Sequence, residues 1–128
     1  MAPGISEQEN RVLIRVIEML GSGQALAQDL EDYVVGFHVL GNLAASAQAE
    51  TETAEMNTKI AWAEAFATAK EGENKVSDMM AKAQADIAVA DLKHREILKR
   101  ERLHKIRATR DSVQEAIWAI KSLTKNGG

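Results

Sequence analysis

The chain's only proline is Pro3, and neither proline nor glycine occurs between Glu73 and Asn126. These residues are the strongest interrupters of a helix, proline by removing a donor and clashing, glycine by its backbone entropy. A stretch of that length without either is constrained toward one helix, which the apolar spacing places at about Lys75 to Leu123. At 1.5 Å per residue such a helix reaches about 70 Å. That exceeds what a compact fold of 128 residues encloses, so it is predicted to protrude or to pack on other subunits. Val76, Met79, Met80, Ala83, Ile87 and Ala90 open its apolar face, Ile97, Leu98, Leu103 and Ile106 continue it, and Val113, Ile117, Ile120 and Leu123 close it.

Upstream the pattern is again helical. Pro3-Gly4 marks a short irregular arm. Ser6 with Glu9 three residues on is a capping box, and Val12, Leu13, Val16, Ile17 and Leu20 form a stripe. A first helix is therefore predicted over Ser6 to Leu20, closed by Gly21-Ser22-Gly23. A second is predicted from about Gln24 to Lys70. Leu26, Leu30, Tyr33, Phe37, Leu40 and Ala44 alternate at four- and three-residue steps, with Val34 and Leu43 beside them. Gly36 and Gly41 in its interior mark either a bend or a close helix crossing. Ala44 to Thr58 is small, polar and acidic and reads as thin helix rather than hinge, after which Met56, Ile60, Ala63 and Ala67 resume a seam. Glu71-Gly72-Glu73-Asn74 supplies a turn, with Gly72 as a C-terminal cap and Asn74 or Ser77 as the next N-cap.

The fold class is accordingly all-α: a long antiparallel helical hairpin over residues 51–128, preceded by an N-terminal helical segment over residues 1–50. The two form one structural unit, extended and oligomeric. Aromatic residues are 4% of the chain, and alanine makes helices more readily than it fills a core, so self-association is the expected cover for the apolar stripes.

Charge is unevenly spread. Residues 1–73 hold four Lys/Arg and twelve Asp/Glu, whereas residues 74–128 hold twelve and seven. Within the second half, Lys93, Arg95, Lys99, Arg100, Arg102, Lys105, Arg107 and Arg110 crowd eighteen residues that contain only Glu96 and Glu101 as acids. Two acids cannot pair eight cations within the helix. The run is therefore a candidate phosphate-binding surface that need not read sequence, and the competing partner for it is the acidic first half of the chain.

Catalysis is not indicated. The histidines, His38, His94 and His104, form no metal-ligating pattern, Gly21-Ser22-Gly23 lacks the downstream residues of a phosphate loop, and no nucleophilic triad is suggested. No metal or cofactor is expected. The absence of cysteine fits a reducing cytoplasm, and no segment reads as a signal peptide or membrane span. Trp62, Phe66 and Trp118 lie beside apolar stripes and are expected to be buried rather than to stack on bases.

From about Thr53 to Leu123 the chain resembles the UvsY recombination mediators of T-even-type phages. The shared features are Lys59-Ile60-Ala61-Trp62-Ala63 before a turn at Gly72, Met80-Ala81-Lys82-Ala83-Gln84-Ala85-Asp86 after it, and the closing Arg110-Asp111-Ser112 and Ala116-Ile117-Trp118-Ala119-Ile120-Lys121-Ser122-Leu123. The resemblance implies a homo-oligomer that binds single-stranded DNA and helps a RecA-like recombinase replace single-strand binding protein. It also shows a departure, since the family carries basic residues just before the turn where this chain has Glu64 and Phe66. The second function expected from the charge pattern is a helical protein-binding adaptor or inhibitor, phage-encoded, that docks on a host protein without DNA.

Overall fold

The computed structural model describes residues 5–23, 26–72 and 76–127, and among these there is no strand. The arm at Pro3-Gly4, the start at Gln24, the cap at Asn74 and the opening residue Lys75 lie outside the described residues. Among the described residues four helices follow in order, α1 (Glu7–Ser22), α2 (Leu30–Glu71), α3 (Asp78–Ala88) and α4 (Ala90–Gly127), with a 3₁₀ turn at Ala27–Asp29 before α2. The protein is all-α, as the spacing predicts.

The chain divides into two compact units, Met1–Ser46 with His104–Gly128, and Ala47–Leu103. Both long helices contribute to each. Residues 104–128, grouped above with the hairpin, therefore belong with α1.

In the first unit α1 begins as expected. Ser6 Oγ accepts from the Glu9 amide at 3.1 Å and Glu9 Oε1 accepts from the Ser6 amide at 3.2 Å, which satisfies two otherwise orphaned donors. The helix ends two residues later than predicted, at Ser22, because the left-handed residue is Gly23 (φ 72°), not Gly21. Leu26, expected inside the second helix, is extended (φ −94°, ψ 143°) and half exposed, so α2 starts at Leu30. The core is formed by Leu13 and Val16 of α1, Tyr33, Val39, Leu40 and Leu43 of α2, and Val113, Ile117 and Ile120 of α4, with Ile5 at its edge. Gly36 is a close crossing and not a bend: a Cβ there would lie 3.0 Å from Val16 Cγ2.

In the second unit α2 passes through residues 47–58 without interruption and lies antiparallel to α3 and the first part of α4. Lys70 meets Asp78 at 2.7 Å, the Trp62 indole N–H donates to Asp86 at 2.9 Å, and Glu50 meets Arg102 at 3.4 Å, so one helix descends in number as the other rises. Lys70 also donates to the Val76 carbonyl at 3.2 Å, tying the turn. The Lys70 ammonium, by hydrogen bond and by charge, holds the Asp78 carboxyl below its ordinary range. Gly72 does not take the left-handed cap; Gly23 is the only glycine with positive φ among the described residues.

The face that packs in this unit differs from the one predicted. Ala47, Thr51 and Thr58 of α2 and, on the other arm, Ala81, Ala85 and Val89 are buried, whereas Met56, Ile60, Met79, Met80 and Ile87 are exposed, as are Ala63, Ala67, Ala83 and Ala90. The reason is phase. Continuing the steps of Tyr33, Phe37, Leu40 and Ala44 along an unbroken helix reaches positions 47, 51, 54 and 58, while Met56 and Ile60 fall on the far side. The threonines are tolerated because their hydroxyls donate to their own helix, Thr51 to the Ala47 carbonyl at 2.7 Å and Thr58 to the Ala54 carbonyl at 2.8 Å.

The predicted single helix over Lys75 to Leu123 is also interrupted, at Val89 (φ −103°, ψ 8°). Buried Ala81, Ala85 and Val89 follow one another at steps of four. Each such step overshoots a full turn by about 40°, and a local unwinding returns the stripe to its partner. The ladder survives, since the Val89 amide donates to the Ala85 carbonyl at 3.1 Å and the Lys93 amide to the Val89 carbonyl at 2.8 Å.

Candidate nucleic-acid interface

All eight cations of the basic run lie on α4, but they do not share one environment. From Val89 onward the inward positions step 92, 96, 99, 103, 106 and 110, so the helix phase places Glu96, Lys99 and Arg110 at least partly inside while Lys93, Arg95, Arg100, Arg102, Lys105 and Arg107 stay exposed. Ile97 and Leu98, expected to pack, are about half exposed.

In the second unit the acids of α2 reach across the hairpin. Glu50 Oε2 faces both Lys99 at 3.8 Å and Arg102 at 3.4 Å, and Glu55 Oε1 accepts from Arg100. Arg100 also approaches Glu96 Oε1 at 3.6 Å, and Lys93 approaches Glu96 Oε2 at 4.0 Å. Within the helix Glu96 pairs with Arg100 four residues on, while Glu101 and Lys105 form no ion pair among the described residues. The acidic stretch Glu50 to Glu55 is thus the partner of the middle of the run. Its signal in the sequence was the antiparallel register itself, which brings residues 50–55 opposite 99–102.

Further along, Arg110 belongs to the first unit. Its guanidinium lies over the Phe37 ring, 4.5 Å from the centroid, and the missing side chain at Gly41 leaves it room, with a Cβ there 3.6 Å from Arg110 Nε. Arg110 is therefore partly a packing residue, with its Nε buried and without a hydrogen bond. Arg95 and Lys105 are the exposed members of the run without an ion pair among the described residues.

Net charge limits what the run can attract. The segment 47–103 carries nine Lys/Arg against eleven Asp/Glu, and the other unit carries seven against eight. The excess of +6 over residues 93–110 is local, and its neighbours in space offset it. The cross-hairpin pairs are all 37% or more exposed, and such pairs are worth roughly 0–1 kcal/mol each. They can open to another anion at small cost.

The aromatics divide. Trp118, expected to be buried, is 60% exposed. Trp62 is half buried and stacked on Phe66, with ring centroids 5.3 Å apart and planes 11° apart. Beside Trp62 lies a cleft of about 550 Å³ between α2 and α3/α4 of the second unit, floored by Thr58, Val89 and Glu96. A second cleft of about 410 Å³, lined by Glu50, Thr53, Asn57 and Arg95 among others, opens elsewhere on the same unit. No group of three or more His, Cys, Asp or Glu able to hold a metal occurs among the described residues.

No protein-family model, curated protein or solved structure matches the chain. Among the described residues no helix is long and apolar enough to cross a membrane.

Proposed function

We propose that the protein is a non-enzymatic helical interaction protein that associates through the outer faces of its hairpin, first with its own copies. The observation that carries this reading is the inverted packing of the second unit. Small residues occupy the seam, and the large apolar side chains point outward, with Met79 at 83% exposure, Ile87 at 77% and Met56 at 57%. Large apolar side chains left exposed in number favour contact with another protein surface over contact with water. Sedimentation of the 14.0 kDa chain across a concentration series tests it. The wild type is expected to exceed monomer mass, and the double substitution Met79→Gln, Ile87→Gln to return it to monomer with helicity unchanged. Monomer mass for the wild type throughout the series would refute the reading.

A second reading is single-stranded DNA binding by a recombination-mediator-like protein, the role implied by the resemblance to the UvsY mediators. Its support is that Arg95 and Lys105 are exposed without ion pairs among the described residues, next to ion pairs weak enough for phosphate to displace. Titration with single- and double-stranded DNA at two salt concentrations tests it. The logarithm of the affinity should fall against that of salt with a slope near −0.7 for each phosphate contacted. Binding indifferent to salt, or unchanged in Arg95→Glu, Lys105→Glu, would refute it.

A further inference from the structure

We infer that the cleft beside Trp62 is a binding site for a small organic cation, an ammonium group carried on an apolar body. Its volume of about 550 Å³ lies within the range of small-molecule sites. The floor supplies one unmet demand. Glu96 is 93% buried by its side chain (7% exposed), and its Oε2 has no hydrogen-bond partner. The nearest cations stop short: Lys93 Nζ is 4.0 Å from Oε2, and Arg100 faces the other oxygen, Oε1, at 3.6 Å. A buried carboxylate oxygen calls for a donor, and a charged donor bonds it more strongly than a neutral one.

The other lining groups favour a cation with apolar substance. The Thr58 hydroxyl is already committed to the Ala54 carbonyl, so it brings no donor for an anion. Trp62 has its N–H bound to Asp86 and its ring stacked on Phe66, which fixes the indole and leaves its carbon skeleton to the cleft. Indole is the best aromatic partner for an ammonium group, and Val89 and Ile97 extend the apolar wall. An anion entering here would meet Glu55, Asp86 and Glu96. A metal ion would lack the cluster of ligands it needs. Lys59 and Lys93 line the same cleft, and Lys93 is the internal competitor: it stands 4.0 Å from the buried, unpartnered carboxylate oxygen without closing the bond.

The test uses the full chain with Trp118→Phe, so that Trp62 alone reports. Titration with 2-phenylethylammonium should give a saturable change in Trp62 fluorescence. Glu96→Gln should weaken it at least tenfold, and Lys93→Gln should tighten it several-fold by removing the competitor. The neutral 2-phenylethanol should not bind. A lysine-containing peptide run alongside separates the sources: if it binds with the same dependence on Glu96, the cation is a protein side chain, and if it does not, a free amine. Folding of each variant is checked by far-ultraviolet circular dichroism. No saturable change, equal binding of the alcohol, or equal binding by a folded Glu96→Gln variant would overturn the site and leave Glu96 to Lys93 and solvent.

Discussion

The two glycines inside α2 have the same intrinsic cost and different surroundings, which makes them a quantitative test of the first unit's packing. Glycine in a helix interior is about 1 kcal/mol worse than alanine, so Gly→Ala gains about that amount wherever a methyl fits. At Gly41 it fits: the nearest atoms to a Cβ are those of the Arg110 guanidinium at 3.6–3.7 Å, ordinary contact. At Gly36 it does not. A Cβ would stand 3.0 Å from Val16 Cγ2, 3.2 Å from Cγ1 and 3.4 Å from Cβ. Val16 is 0% exposed, and a valine in a helix is held to one side-chain rotamer, so neither methyl can turn away. Overpacking of this kind costs about 1–3 kcal/mol. Gly41→Ala is therefore expected to stabilise by about 1 kcal/mol, and Gly36→Ala to lie between neutral and about 2 kcal/mol destabilised once the propensity gain is set against the clash. Thermal melts followed by circular dichroism resolve the difference, at about 4 °C per kcal/mol for a chain this long. In a Val16→Ala background the obstructing methyls are gone, and Gly36→Ala should recover the stabilising sign of Gly41→Ala. Equal stabilisation by the two single substitutions would refute the close crossing of α1 and α2.

Three further outcomes follow from the same physical chemistry. Ala85 is fully buried and Ala83 exposed, so Ala85→Leu should destabilise by about 1–3 kcal/mol and Ala83→Leu by less than about 0.5 kcal/mol; equal effects would place the seam elsewhere. Glu55→Gln, which removes the partner of Arg100, should cost less than about 1 kcal/mol and nothing measurable in high salt. Tyr33 is the only tyrosine, and burial, with a smaller contribution from the Asp29 carboxylate, raises its phenol above the ordinary 10.0. The folded state then keeps the proton that the unfolded state loses above that pH, so stability is intact below about pH 10 and falls beyond it. Tyrosinate absorbance should rise together with loss of helix, and a phenol that ionises while the helix persists would contradict its burial.

Element existence was legible because the signals were local. Ser6 and Glu9 form the cap their spacing announces, and the absence of proline and glycine keeps α2 continuous through Ala44 to Thr58. The facing of the helices was less legible, since large apolar residues dominate any reading by composition. Met56 and Ile60 drew the seam to themselves, although the steps begun at Tyr33 already pointed to Ala47, Thr51 and Thr58. Small residues give a weak hydrophobic signal but permit close approach of two helices, and the phase of an unbroken helix overrides the size of its side chains. The same blindness hid the interruption at Val89, where an ordinary valine leaves the helix for a reason found only in the spacing of buried neighbours.

For the basic run, this coupling of phase and register decides more than the number of charges. A run of eight cations was legible as a feature, but its electrostatic meaning depended on which residues the hairpin sets opposite. Residues 50–55 arrive there with Glu50 and Glu55, so Lys99, Arg100 and Arg102 form pairs, and the segment 47–103 carries more acids than bases. The helix phase then turns Arg110 onto Phe37 and leaves Arg95 and Lys105 outward. A surface built this way gives little long-range attraction to an anion, while half-exposed pairs at close range open cheaply. Reversing Glu50 and Glu55 to lysine would unmask the run without touching it. If Lys99, Arg100 and Arg102 are held by those acids, DNA affinity at low salt should rise in the Glu50→Lys, Glu55→Lys variant. An unchanged affinity would show that α4 does not meet DNA through this face.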